Sequence, residues 1–154
     1  MECNLESLTL EDLNSGDKFV SPGITLTEAE IVGFALKYDP QPFHLDTGAA
    51  EASIYGGLIA SGFQVVSLCF RMFIQMGLFR TTSMGSPGID ELRWLAPVRP
   101  GDTLHTEVEV GEVKPSRSKP DRGIARLHYR AINQRGETVT SFVINHLLRT
   151  RAAE

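Results

Sequence analysis

The sequence predicts an α+β domain in which one apolar helix lies against an antiparallel meander. Three observations predict it. The stretch "FQVVSLCFRMFIQMGLF" after Gly62 is apolar on almost every side, as a helix enclosed by other elements must be. From Gly88 onward the apolar residues alternate with polar ones, the period of a half-buried strand. Short turn-forming segments separate those alternating runs, which suits hairpins and an antiparallel sheet.

The elements follow in chain order. The acidic segment up to about Asp17, "MECNLESLTLEDLN" onward, is polar and reads as loosely ordered. Phe19 to Leu26 reads as a strand interrupted by "SPG". A helix starts at Thr27, whose side chain can cap it, with Glu30 three residues on as a capping box requires. Ile31, Phe34, Ala35 and Tyr38 give it one apolar face, and Pro40 stops it. Asp39 to His44 contains two prolines in six residues and is expected to be irregular. Asp46 can cap a short helix over 47–54, ended by Gly56-Gly57. The central helix then leads to four strand candidates, "DELRWLAPV", "TLHTEVEVGEV", "GIARLHYRAIN" and "ETVTSFVINHLL". In "RPGD" Pro100 presets the first central position and Gly101 the permissive second, predicting a type II turn. The segment "KPSRSKPDR" reads either as a solvated hairpin loop or as a contact for the phosphates of a nucleotide-bearing ligand.

Composition bounds the function classes. At 154 residues, 42% hydrophobic and 22% charged, the chain fits one globular domain able to bury a core. The net charge of -4 argues against nucleic-acid binding. The acidic start lacks the apolar core of a leader peptide and no run is long enough to span a bilayer, so a cytoplasmic protein without membrane contact is expected. The two cysteines, Cys3 and Cys69, read as an incidental thiol and a core thiol. His105, His128 and His146 lack metal-site spacing, so no metal is expected. There is no P-loop, dinucleotide fingerprint or nucleophile elbow.

Two segments can carry chemistry. In "YDPQPFHLD", Asp39 and His44 share one proline-stiffened loop. Such a loop can hold a carboxylate and an imidazole around a common water, one taking its proton while the other supplies a proton to the adjacent carbon. Alternatively, Asp39 merely terminates the helix and His44 packs at a loop edge. In "YGGLIASGF", small residues at 56, 57, 60, 61 and 62 precede the apolar helix and let a ligand approach its unpaired first amides, which can stabilise an oxyanion. Tight helix–sheet packing explains the same glycines.

Taken together, these blocks resemble a known family. "FALKYDPQPFHLD" is similar to the hydratase signature of MaoC-like proteins and (R)-specific enoyl-CoA hydratases. "YGGLIASG" resembles the block that runs into their central helix, and "ELRWLAPVRPGDTLHTEVEV" the Arg-aromatic strand and Pro-Val-x-x-Gly-Asp-x-Leu block that follow. The three occur in order and spacing, and the resemblance covers most of the chain from about residue 24 to 149.

The resemblance implies a hot-dog fold, a long central helix wrapped by a curved antiparallel sheet, formed by residues 1–154 as one domain with 1–17 loosely attached. It implies a homodimer or dimer of dimers, and an acyl-CoA thioester substrate hydrated or dehydrated at its α,β position. No cofactor is implied beyond the CoA that carries the substrate. On the matching positions Asp39 and His44 become the water-activating dyad and the Gly62 amide the oxyanion donor. Gly57, Ser61 and Phe43 are expected against the substrate. Ser61 stands where many members have histidine, and its hydroxyl can replace one hydrogen bond. Gln41 stands where asparagine is common and is expected to change the bracing of the loop. Arg93 matches a family position but equally suits sheet bracing, and bulky Phe70, Met72 and Phe73 argue against long acyl chains. A hot-dog thioesterase and a non-catalytic acyl-CoA-binding module are the alternatives.

Overall fold

The computed structural model describes residues 6–153. Its elements are strands β1 (Lys18–Val20) and β2 (Ile24–Thr25), helices α1 (Glu28–Tyr38), α2 (Pro42–Leu45), α3 (Thr47–Ala52) and α4 (Gly62–Ile74), and strands β3 (Ile89–Trp94), β4 (Thr103–Pro115), β5 (Arg122–Ile132) and β6 (Thr138–Arg149). The strands form one antiparallel sheet in the order β1-β4-β5-β6-β3, with β2 also paired to β4. The sheet does not close: β1 and β3 are opposite edges.

The alternating pattern places one side of β4, β5 and β6 in the core, where α4 packs across them. Cys69 of α4 receives the Thr106 hydroxyl on its carbonyl at 2.7 Å, tying helix to β4. Phe73 meets Tyr129 of β5 edge-on, with ring centroids 5.4 Å apart. Burial of such large side chains contributes about 1.5–3 kcal/mol each, so the helix–sheet contact is a substantial part of the core. Burial also pushes the Cys69 thiol up to about 12, which makes it a core residue and not a nucleophile. Cys3 lies outside the described residues.

Several expectations are met. Thr27 caps α1 by accepting the Glu30 N–H at 3.2 Å. Asp46 caps α3 by accepting the Ala49 N–H at 3.1 Å. In the Arg99–Asp102 turn, the Asp102 N–H donates to the Arg99 carbonyl and Gly101 has φ +89°, the backbone that a type II turn demands there.

Others are corrected. Within the segment expected to be loose, residues 6–17 are anchored: Leu10 and Leu13 are buried in the core and the Leu8 N–H donates to the Leu78 carbonyl. Leu10 lies where a side chain on Gly123 would be, so the anchor depends on a glycine in β5. Residues 42–45 are helical and not irregular, because Pro42 occupies the first helical position, where its missing N–H costs nothing. On α1, Tyr38 is exposed rather than part of the buried face. Residues 95–98 leave the strand expected over 90–98.

The central helix is also less enclosed than its composition suggests. Val65, Cys69, Met72 and Phe73 are buried, but Phe63, Phe70 and Ile74 form an exposed apolar stripe beside the β3 edge, where Ile89 and Trp94 are exposed as well. The β3 edge carries a bulge between Asp90 and Arg93, with Glu91 at φ +54°.

Candidate active site

The site forms where three connections meet: the turn after α1, the loop entering α4 and the chain leaving β3. They enclose a cavity of about 360 Å³ lined by Asp39, Phe43, His44, Gly62, Trp94 and Val139, among others.

Asp39 ends α1 and its backbone N–H still closes the helix onto the Ala35 carbonyl. The following turn carries His44 back toward it. The His44 Nε2 lies 3.1 Å from Asp39 Oδ2, and both side chains are largely buried. On the other side of the ring, Nδ1 is 2.7 Å from the Ile59 carbonyl. A carbonyl only accepts, so Nδ1 carries the proton that makes this bond. In a neutral ring Nε2 would then be a bare lone pair facing a carboxylate oxygen. At 3.1 Å the pair therefore needs one shared proton, or a water that donates to both. The two groups touch directly, so such a water lies beside the pair on the cavity side rather than separating them.

Two more donors fix Asp39. The Ser61 hydroxyl donates to Oδ2 at 2.7 Å and the Gln41 amide to Oδ1 at 2.6 Å. Burial alone would raise the Asp39 carboxyl. The hydrogen bonds from Ser61 and Gln41, with His44 beside them, outweigh burial and hold it below the ordinary carboxylate range. Asp39 is thus an ionised acceptor with its lone pairs aimed by neighbours.

Gly62 is the first residue of α4, and its N–H has no acceptor within the helix. The positive end of the helix dipole adds to that donor. A β-carbon at 62 would lie 2.5 Å from Trp94 Cε2 and closer still to Nε1, so glycine is required by the indole packed on it. Gly62 lines the same cavity as the Asp39–His44 pair. An electrophilic N–H, an ionised carboxylate and an imidazole around one apolar cavity can bind a carbonyl and move a proton at the carbon beyond it.

The remaining expectations divide. Phe43 lines the cavity and stacks edge-on to His44, with centroids 4.6 Å apart. Ser61 is fully buried and serves Asp39, not a ligand. Gly57 lies off the cavity and makes room for Arg99, whose Nη2 donates to the Tyr55 carbonyl at 2.5 Å. Gln41 braces the loop as expected. Met72 and Phe73 belong to the core and Phe70 stacks on His146, so none of the three bounds the cavity or limits a chain in it. Arg93 is exposed and bonds the Leu92 carbonyl. The basic hairpin borders a separate groove of about 580 Å³, with Arg122 paired to Asp121 and Lys114 to Glu112. Trp94, Tyr55 and Val139 are lining residues that sequence reasoning missed. Only Trp94 left a trace, as the aromatic residue after Arg93.

Among the described residues, no helix is long and apolar enough to cross a membrane. A family model for the MaoC-like domain matches residues 13–129. The crystal structure of the MaoC-like dehydratase from Rhodospirillum rubrum is 40% identical, and the likeness covers 94% of this chain and 99% of that one with a TM-score of 0.87. The (R)-hydratase from A. caviae involved in PHA biosynthesis is 26% identical, covering 91% of this chain and 98% of that one with a TM-score of 0.71. Protein MaoC of Klebsiella aerogenes is 34% identical over 118 residues, which are 75% of this chain but 35% of that protein. This chain therefore spans about a third of that relative. The structural likenesses show the hot-dog fold.

Proposed function

The chain belongs to the MaoC-like domain family, and from that premise we propose that it adds water to, or removes it from, the α,β position of an acyl-CoA thioester. One observation carries the proposal: Asp39 Oδ2 and His44 Nε2, 3.1 Å apart, share a cavity with Gly62, the first residue of α4. The thioester oxygen binds the Gly62 N–H, which places the β-carbon before the dyad. Water bound to Asp39 and His44 attacks that carbon and gives its proton to Asp39. The π electrons move onto the thioester oxygen, and the Gly62 amide stabilises the resulting enolate. The proton that His44 Nε2 shares with Asp39 at the outset goes to the α-carbon from the same face, and the proton taken from water replaces it between the two groups. The scheme returns both groups to their starting state; delivery from one face makes the addition syn, and the (R)-3-hydroxy product is what the family resemblance leads one to expect. The reverse sequence is dehydration. All of this is done by the chain's own groups, with CoA acting only as the carrier of the acyl group.

The working unit is a homodimer. The exposed stripe of Phe63, Phe70 and Ile74 beside the open β3 edge supports this, because a second copy of the chain would cover both. Sedimentation gives the oligomeric state directly, and a protein that remains monomeric at micromolar concentration would remove this part of the proposal.

Crotonyl-CoA tests the activity. Loss of the enoyl absorbance without release of free thiol is hydration. Release of thiol identifies a thioesterase instead, and tight binding with neither change identifies a binding module.

A further inference from the structure

We propose that the indole Nε1–H of Trp94 is a second donor to the substrate's thioester oxygen, alongside the Gly62 amide; this rests on the hydration chemistry above. Trp94 and Gly62 line the same cavity. Of the atoms near the position that a β-carbon would take on Gly62, the indole Nε1 is the nearest, so the nitrogen edge of the indole packs against Gly62 at the start of α4. Trp94 is half exposed, and among the described residues its Nε1–H has no acceptor.

The ring is held in place. Phe63 meets it edge-on at 5.5 Å and 72°. Its backbone is fixed in register with Thr140 of β6, whose hydroxyl donates to the neighbouring Arg93 carbonyl at 2.7 Å. The chemistry fits the position. Hydration places negative charge on the thioester oxygen, which accepts more than the single bond a backbone amide offers. The indole N–H donates only, so it has no lone pair to oppose that charge. A donor already aimed at the developing charge lowers the barrier without binding the ground state equally well.

Trp94 is the only tryptophan of the chain. Replacing tryptophan by β-(3-benzothienyl)alanine in an auxotroph therefore changes this one ring, keeping its shape and removing its N–H. This protein and Trp94→Phe are compared with wild type in crotonyl-CoA hydration, and the carbonyl stretch of bound carbonyl-labelled butyryl-CoA, which has no double bond to hydrate, is recorded by infrared difference spectroscopy. The expected result is a fall in kcat of roughly 10²-fold, the low end for one oxyanion donor. KM should stay within about threefold, because the neutral carbonyl of the bound ground state accepts this bond far more weakly than the charge that develops in the transition state. The carbonyl stretch of the benzothienyl protein should move back toward the value in water. A fall in kcat well short of that low end, or an unchanged carbonyl stretch, overturns the assignment of Trp94. Wild type that hydrates no enoyl-CoA overturns the hydratase proposal itself, and the assignment with it.

Discussion

Removing the Ser61 hydroxyl is the sharpest way to ask what holds Asp39 ionised. The hydroxyl donates to Oδ2 at 2.7 Å from a fully buried position that water is poorly placed to refill. A hydrogen bond to a charged group is worth about 1.5–3 kcal/mol. One pKa unit corresponds to about 1.4 kcal/mol, so Ser61→Ala should raise the Asp39 carboxyl by roughly one to two units. In wild type that carboxyl lies below the ordinary range, so no acid limb attributable to it should appear above about pH 4. In the variant the carboxylate is lost as pH falls through a higher value, so the acid limb should move to higher pH than in wild type. The assay is kcat/KM for crotonyl-CoA hydration across pH, with a Ser61→Cys variant, a weak donor, expected in between. The stability contributed by the depressed carboxyl is present above its ordinary value and lost below, so Ser61→Ala should also unfold earlier in urea at about pH 7. Acid limbs that superimpose for wild type and Ser61→Ala would refute the assignment of Ser61 as the group that sets Asp39.

Three further outcomes are expected. His44→Ala and Asp39→Asn should fold with unchanged circular dichroism yet lose about a hundred- to ten-thousand-fold in turnover; near-normal rates in both would remove the dyad. Gly62→Ala should cost about 1–3 kcal/mol of stability through collision with the Trp94 indole, and the cost should shrink in the Gly62→Ala/Trp94→Ala double variant. Additive urea-unfolding energies would contradict that contact. His146 is buried against Tyr129 and its imidazole is pushed down to about 4 by burial. The unfolded chain binds that proton more readily, so stability should fall by about 2 kcal/mol between about pH 7 and pH 5. His146→Gln should flatten that dependence, and an unaltered slope would show that another group carries it.

What the sequence made legible is what is local. The helix over Gly62–Ile74 shows as an unbroken apolar run, the long strands show as period-two alternation, and the Arg99–Asp102 turn shows in two residues. Asp39 and His44 were readable because one short loop carries both. Missing pieces depend on distant partners. Leu10 and Leu13 are isolated leucines in an acidic stretch with no periodicity, and only the core of the folded sheet gives them a place. The short helix at Pro42 was hidden because proline breaks helix interiors but opens helix starts. The exposed stripe on α4 could not be told from a buried one, since in sequence an exposed apolar residue looks the same as a buried one. Ser61 could be credited with one hydrogen bond, but not with Asp39 as its acceptor, 22 positions earlier. Trp94 reaches Gly62 only because β3 pairs with β6 at the sheet edge, a neighbourhood with no local signature.

A crystal structure of the Asp39→Asn variant with 3-hydroxybutyryl-CoA bound tests the central claim most directly. The account predicts the thioester oxygen on the Gly62 N–H, and the 3-hydroxyl within hydrogen-bond reach of both the carboxamide introduced at position 39 and His44 Nε2. An acyl group seated outside this cavity, or a 3-hydroxyl turned away from positions 39 and 44 with the ligand in place, would contradict it.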